Sequence, residues 1–382
     1  MDTGGRSKGT MSGYKETILQ FGAGKFLRAF FDLFVQEAAE AGEDPGKVVV
    51  VQSTPGARAG ELNDRGCAYH VLLRGISGGE RVDEARRVES ISRALVADES
   101  WAEVLELARS EDLRVVVSNT TEKGYEVDGS DGSTSSPPAS FPAKLLQVLS
   151  ARFDAGRGGL TILPCELIEH NASRLRGIVL ALAERWRLPL AFLRWVAKEC
   201  AWHENLVDRI VTGRPEGHPL LEEDPLALAC EPFALFAIEA RDGKLGLFSH
   251  PAIRAVDDVT PYALRKVRIL NGAHTALVAK ALPAGFATVR DAVEDPAVGS
   301  WLRGLLFQEI VPTVKERVED AEGFANEVLE RFRNPFVEHR LEDIALHHEE
   351  KMRLRLLPTC EEYAEQTGEE PVILTELLRN PG

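Results

Sequence analysis

The sequence predicts an α/β fold: a mostly parallel sheet with added strands in the N-terminal part, followed by an all-helical C-terminal region. Three observations predict it. A strand, a glycine turn and a helix follow one another at residues 18–39, and short continuous apolar runs recur up to residue 163. Beyond Pro261 nearly every apolar pattern has helical rather than alternating spacing.

Ile18, Leu19, Gln20 and Phe21 read as a short strand, Gly22-Ala23-Gly24 as a tight turn, and residues 25–39 as a helix with Phe26, Leu27, Phe30, Phe31 and Phe34 on its apolar side. Such a unit turns backbone N–H groups toward a space that suits a pyrophosphate. Phe21, Gly22, Ala23, Gly24, Lys25 and Phe26 are therefore candidate cofactor contacts in a Rossmann-like domain, although the third glycine of the dinucleotide fingerprint is missing. Residues 47–52 form a near-continuous apolar strand of the kind covered on both faces. The acidic residue that usually reads the ribose at that strand's end is absent, and Gln52, Ser53 and Thr54 stand there. Gln52 can bond a 2′-hydroxyl and Arg58 can reach a 2′-phosphate, so NAD is preferred and NADP stays open. A third strand, residues 113–118, runs into Asn119, Thr120, Thr121 and Glu122, at the carboxyl end where open α/β sheets bind ligands. The fourth, residues 160–163, leads through Pro164-Cys165-Glu166 toward Asn171.

Along the rest of the chain, residues 1–13 read as a disordered leader, and residues 74–84, with Gly75, Gly78 and Gly79, as the join of two hairpin-like pieces. Residues 128–140 are rich in Ser, Gly and Pro and read as a surface loop before a helix at 141–153 that begins near Pro142. A helix is expected at 175–186, an extended stretch at 206–211, a loop at 212–224, and strands at 233–239 and 255–256. Helices are expected at 262–282, 289–294, 301–311, 321–332 and 344–356. The change in pattern near Asp258 divides the chain into a dinucleotide-binding domain, 14–258, and a helical substrate domain, 259–382, with residues 258–261 as a hinge and Lys266 beside an interdomain cleft.

Composition narrows the partners. Sixty acidic against 45 basic residues give a formal net charge of −15, which opposes wrapping by nucleic acid or docking on an acidic membrane. No apolar stretch approaches the roughly 18 residues of a membrane span, and the first residues carry no apolar signal core, so a cytoplasmic protein is expected. Five cysteines, odd in number and far apart, fit neither a disulfide framework nor a zinc site. Adjacent His347 and His348 point apart on a helix and do not read as metal ligands. Cys165 lacks a histidine at a diagnostic spacing and reads as pocket wall rather than nucleophile. Clustering of the 16 phenylalanines near residues 26–34 is explained by core packing, which leaves a monomer or weak homodimer as the expectation.

Residues 266–275 read Lys-Val-Arg-Ile-Leu-Asn-Gly-Ala-His-Thr and open an apolar helix. At a helical pitch, Lys266, Asn271 and His274 fall at about 0°, 140° and 80°, on one half, while Ile269, Ala273 and Leu277 help fill the other. An amine in partly desolvated surroundings suits proton transfer, an amide can donate to an oxygen that gains charge, and an imidazole can accept or donate. Together they suit chemistry on a carbonyl or hydroxyl. The same residues also fit a solvated lysine, an Asn-Gly turn and a satisfied buried histidine.

Five ordered segments carry a resemblance: residues 18–30 (Ile-Leu-Gln-Phe-Gly-Ala-Gly-Lys-Phe-Leu-Arg-Ala-Phe), 118–122 (Ser-Asn-Thr-Thr-Glu), 164–168 (Pro-Cys-Glu-Leu-Ile), 206–210 (Leu-Val-Asp-Arg-Ile) and the run at 266–275. Over nearly the whole chain after residue 15 the sequence resembles the polyol-specific long-chain dehydrogenases, the mannitol dehydrogenase family. The resemblance implies a zinc-independent, nicotinamide-dependent oxidoreductase that acts on a small molecule, a hexuronate, aldonate or polyol. It implies Lys266 as general acid/base, Asn171 and Asn271 as donors that polarise the reacting oxygen, His274 as a positioner of substrate hydroxyls, and Asp208 as a substrate or supporting contact. The nicotinamide is expected near Asn119 and Thr120. If the substrate carries a carboxylate, Arg28, Arg209, Arg265 and Arg268 are candidates to grip it. Arg28 equally suits a phosphate or domain contact, and Arg265 and Arg268 equally suit solvated helix positions. Fructuronate- and mannitol-type reductases of the same family, and a nicotinamide-binding protein without catalysis, are the alternatives.

Overall fold

The computed structural model describes residues 14–120, 122–215, 217–240, 243 and 245–379. The leader at 1–13, Thr121 and the Glu122 side chain, all named above, lie outside the described residues. Two compact units divide the chain, one of Met1–Tyr69, Arg87–Asn205 and Lys244–Pro251, the other of His70–Arg86, Leu206–Gly243 and Ala252–Gly382.

The first unit is built on a six-stranded parallel sheet in the spatial order Ile91–Val96, Lys47–Gln52, Glu16–Phe21, Val115–Ser118, Thr161–Pro164, Ala201–Trp202. Its central strands are continuous apolar runs because both faces are covered; Leu19, Val49, Val51 and Val116 are buried in one cluster with Val104, Leu145, Leu149, Leu175, Val179 and Phe192. The expected helix at 25–39 is two pieces, Lys25–Arg28 and Phe31–Glu40. The Tyr69 hydroxyl donates to the Arg28 carbonyl at 2.8 Å, which occupies an acceptor that a continuous helix would use. The helix Phe141–Asp154 starts where expected, with Ser140 Oγ accepting from the Ala143 amide and Pro142 in the first turn.

In the second unit a four-stranded sheet runs Val211–Gly213, Leu228–Cys230, Tyr69–Ser77, Glu80–Val88, and a three-stranded sheet runs Ile253–Val256, Leu235–Glu239, Asn205–Asp208. Gly78 and Gly79, at φ +61° and +81°, make the tight connection between Tyr69–Ser77 and Glu80–Val88. The stretch at 206–211 is broken, because the Ile210 amide donates to Glu231 at 2.6 Å and the Arg209 guanidinium holds the carbonyls of Glu231 and Phe233. Residues 212–224 include the short helix Leu220–Glu223.

The helical layer of this unit surrounds Gly272–Ala281, buried on every face with only Lys280 exposed. Ile269, Ala273 and Leu277 are fully buried, in one cluster with Leu302, Leu306, Val328 and Leu356. The turn before it, Lys266–Asn271, is π-helical, so the angles of a regular helix do not relate Lys266 to Asn271 and His274. The helix expected at 344–356 is interrupted where His347 takes φ +58°, giving Leu341–Ile344 and His348–Arg355, and two further helices, Leu357–Thr367 and Val372–Arg379, follow.

Candidate active site

In the first unit, the strand Glu16–Phe21 pairs with Lys47–Gln52 on one side and with Val115–Ser118 on the other, with Phe21 opposite both Val51 and Ser118. The chain thus reverses its direction of sheet growth between these strands, and a crevice forms beyond their carboxyl ends. Gly22 stands at that end with φ +120°, and a Cβ there would lie 3.0 Å from the Asn119 carbonyl oxygen. Only glycine meets both conditions. At Gly24 an added Cβ would meet nothing within 4 Å, so this turn leaves open room at the helix start. Lys25 is exposed, Ala23 and Phe21 are buried, and Phe26 stacks on Phe30 at 4.8 Å. These features fit a pyrophosphate.

Around the crevice the predicted residues are tied together by one more, Glu166. Glu166 is 3% exposed, and its carboxylate accepts from Ser118 Oγ (3.1 Å), the Thr120 amide (2.8 Å), Thr120 Oγ1 (3.0 Å) and the Tyr125 hydroxyl (3.2 Å). Burial, then the charge of Glu166, pushes the Tyr125 phenol far up, so it stays a donor. The Asn119 amide donates to the Cys165 carbonyl at 2.7 Å, and burial raises the Cys165 thiol well above its usual value. Asn171, 1% exposed, donates to Pro164 O (2.7 Å) and Asn205 O (3.2 Å) and accepts from the Ala172 amide (2.9 Å). Its amide is engaged with the chain around it. Gln52 is engaged likewise, donating to Gly56 O and accepting from the Ala59 amide, both at 2.7 Å, so it shapes the loop beyond its strand.

The second unit carries Lys266, the residue expected to be the acid/base group. Lys266, with a side chain 15% exposed, donates from Nζ to the Val207 carbonyl at 2.7 Å and lies 3.7 Å from Asp208 Oδ1. Asp208 is bound through two hydrogen bonds, 3.1 and 3.2 Å, to Arg331, which also holds Glu231 at 2.7 and 2.9 Å. All three side chains are at most 4% exposed. Burial pushes the Asp208 carboxyl upward, but Arg331 and then Lys266 outweigh it and hold it below its ordinary value. Glu231 shows the opposite balance, burial prevailing over Arg331. Among the described residues no hydrogen bond engages the half-buried Asn271 side chain. His274 stacks on Phe332 at 4.2 Å and meets His339 edge-on at 4.8 Å; burial drives its pKa well below 6.5, so it is neutral.

Lys266 and Asp208 are therefore together, with Arg331 linking them electrostatically to His274. The four candidate arginines are engaged elsewhere. Arg28 is buried over the Tyr69 ring, Arg209 holds backbone carbonyls, Arg265 lies 4.3 Å over Phe324, and Arg268 bonds Thr359 and Glu362 at 2.8 Å. Glu231 and Arg331 gave no local signal, being 100 residues apart in sequence. Among the described residues no group of three or more His, Cys, Asp or Glu side chains is placed to hold a metal ion, and no helix is long and apolar enough to cross a membrane.

The glycine turn on a parallel sheet fits a nicotinamide-dependent oxidoreductase acting on a small molecule, and the family models show that class. The model of the mannitol dehydrogenase Rossmann domain matches residues 16–247 and that of the mannitol dehydrogenase C-terminal domain matches 258–378; the chain belongs to the mannitol dehydrogenase family. It is 41% identical over 372 residues to an altronate oxidoreductase of Bacillus subtilis (strain 168), covering 94% of this chain and 77% of that protein. To an altronate oxidoreductase of Escherichia coli O157:H7 (strain EC4115 / EHEC) it is 37% identical over 380 residues, 96% of this chain and 79% of that one. Among solved structures, substrate-free D-sorbitol dehydrogenase superposes with a TM-score of 0.79 at 24% identity, over 93% of this chain and 77% of that chain. Pseudomonas fluorescens mannitol 2-dehydrogenase, in a ternary complex with NAD and D-mannitol, gives 0.76 at 23%, over 96% and 78%. At that identity both show the fold alone.

Proposed function

We propose that the protein reduces tagaturonate to altronate, reversibly, with NAD(H), with Lys266 as the general acid/base. The observation that carries this reading is the Lys266 ammonium, held between a backbone carbonyl and a buried carboxylate in a chain whose curated relatives are named altronate oxidoreductase. A division of labour between residues 14–258 and 259–382 belongs to the same proposal. So do a cytoplasmic site of action, where the nicotinamide pool is, a monomeric or weakly dimeric state, and no nucleic-acid partner for a chain of net charge −15.

When bound, the nicotinamide supplies the hydride for reduction and takes it up in oxidation. Residues 21–26 hold the pyrophosphate against the open face at Gly24, and Asn119 and Thr120, braced by Glu166, border the nicotinamide end. Gln52 orders the loop that meets the adenosine ribose. Of the three ammonium donors of Lys266, one serves Val207 O and another faces Asp208, which leaves one for the substrate oxygen. In reduction that proton goes to the oxygen as it gains charge; in oxidation the neutral amine takes the hydroxyl proton. Asn271, whose amide no hydrogen bond engages among the described residues, donates to the same oxygen. Asn171, assigned with Asn271 by the resemblance, acts here by fixing the segment 164–171 against Asn205. Neutral His274 orients substrate hydroxyls without adding charge.

A spectrophotometric panel of tagaturonate, fructuronate, fructose and mannitol with NADH, NADPH and their oxidised forms tests this. Preference for tagaturonate and NADH is expected. Preference for fructuronate or fructose moves the protein to another activity of the family, and cofactor binding without turnover of any substrate overturns the catalytic reading.

A further inference from the structure

Of the four arginines that the sequence offers for a substrate carboxylate, Arg28 is buried over Tyr69, Arg209 holds backbone carbonyls, Arg268 is paired with Glu362, and Arg265 lies over the Phe324 ring, yet a sugar acid needs a cationic partner. One region of the second unit has unmatched positive charge. Arg355, half-buried at the end of the helix His348–Arg355, donates to Thr275 Oγ1 at 3.2 Å, and Lys351, one turn earlier, donates to the Ile344 carbonyl at 2.8 Å. Among the described residues no carboxylate forms an ion pair with either, whereas nearby Arg268, Arg317 and Arg331 each have one.

A second, independent observation lies on the facing helix. His274 is 8% exposed, and its Nε2 is buried without a hydrogen-bond partner among the described residues. A buried polar atom left unmatched calls for an explanation, and beside two unpaired cations a ligand atom supplies one. His339 stands edge-on to the same ring at 4.8 Å. The helices Gly272–Ala281 and His348–Arg355 pack together, and Thr275 Oγ1, which accepts from the Arg355 guanidinium, itself donates to the Asn271 carbonyl at 2.9 Å.

We propose that Arg355, with Lys351 and the imidazoles of His274 and His339, is the subsite that takes the substrate's carboxylate. The inference rests on the reading of the substrate as a keto sugar acid, and it names what separates that acid from a neutral ketose. Partial burial lowers the basicity of both Arg355 and Lys351, and a bound carboxylate offsets that cost. Asp343, which acts on His339, and Arg331, already matched by Asp208 and Glu231, are the other charges facing the cluster.

The test measures KM and kcat for tagaturonate and for its neutral analogue D-tagatose with wild type, Arg355→Gln, Arg355→Lys and Lys351→Met, beside NADH affinity and melting temperature. Arg355→Gln is expected to raise KM for tagaturonate about 10- to 100-fold relative to that for tagatose, the loss of a charge-assisted hydrogen-bonded pair. Arg355→Lys should recover part of the discrimination. Lys351→Met, which reports even if Arg355→Gln does not fold, should lower it about 10-fold. A folded Arg355→Gln and a folded Lys351→Met that both discriminate as wild type does would overturn the subsite while leaving the activity standing. A wild type that reduces no keto sugar acid overturns the functional reading and this inference with it.

Discussion

Arg331→Met tests the electrostatic support beneath Lys266. The substitution removes two hydrogen bonds to Asp208, two to Glu231 and a cation stacked 4.3 Å over Phe233, all at side chains at most 4% exposed. Two buried carboxylates are left with only the Lys266 ammonium, 3.7 Å from Asp208, beside them, and breaking one side of a buried charge network in this way costs about 3–5 kcal/mol. Asp208 supplies a pH signature. Its folded pKa lies below the unfolded value, so its contribution is complete above that unfolded value and is lost as pH falls through the folded one. Without Arg331 the folded pKa rises, and that loss moves to higher pH. Urea denaturation at neutral and mildly acidic pH reads both effects. Replacing Asp208 and Glu231 as well, each by Leu, should return much of the stability, because a buried network can be exchanged whole for apolar packing. A loss below about 1 kcal/mol for the single variant, as at an exposed ion pair, would refute the reasoning.

Burial lowers the His274 pKa below 6.5, so the unfolded chain binds a proton near that pH that the folded chain does not; stability should fall below pH ~6.5 by up to about 1.4 kcal/mol per pH unit. His274→Phe should flatten that slope in denaturation measured from pH 7 to 5, and an unchanged slope counts against a neutral buried ring. Gly22→Ala forces a side chain into φ +120° and within 3.0 Å of the Asn119 carbonyl, so NADH affinity by fluorescence titration should drop, together with about 1–3 kcal/mol of stability. Glu166→Ala unties Ser118, Thr120 and Tyr125 together and should weaken NADH binding more than Ser118→Ala does; equal effects would mean that Glu166 is no hub.

The first unit was legible in sequence wherever burial is symmetrical. Residues 47–52 and 115–118 have both faces covered, which leaves an uninterrupted apolar run, and the Gly22 turn has a backbone reason that only glycine satisfies. The edge strand Ile91–Val96 escaped notice because Ser92 and Arg93 break its pattern; Arg93 pairs outward with Glu16 and Glu103. In the second unit the run at 266–275 was legible as the opening of a buried helix, but its π turn is invisible to a fixed helical pitch. Arginine roles were the least legible. Whether Arg209, Arg268 or Arg355 is engaged depends on carbonyls and carboxylates brought in from distant segments, and residue type alone says nothing about them.

The most direct test of the central claim is tagaturonate-dependent oxidation of NADH by wild type and Lys266→Met across pH, with NADH affinity measured on both. Wild type is expected to turn over, and Lys266→Met to lose about 10²–10⁴-fold in kcat with its NADH affinity retained. Turnover of Lys266→Met equal to wild type at every pH would contradict the assignment of Lys266 as the proton donor.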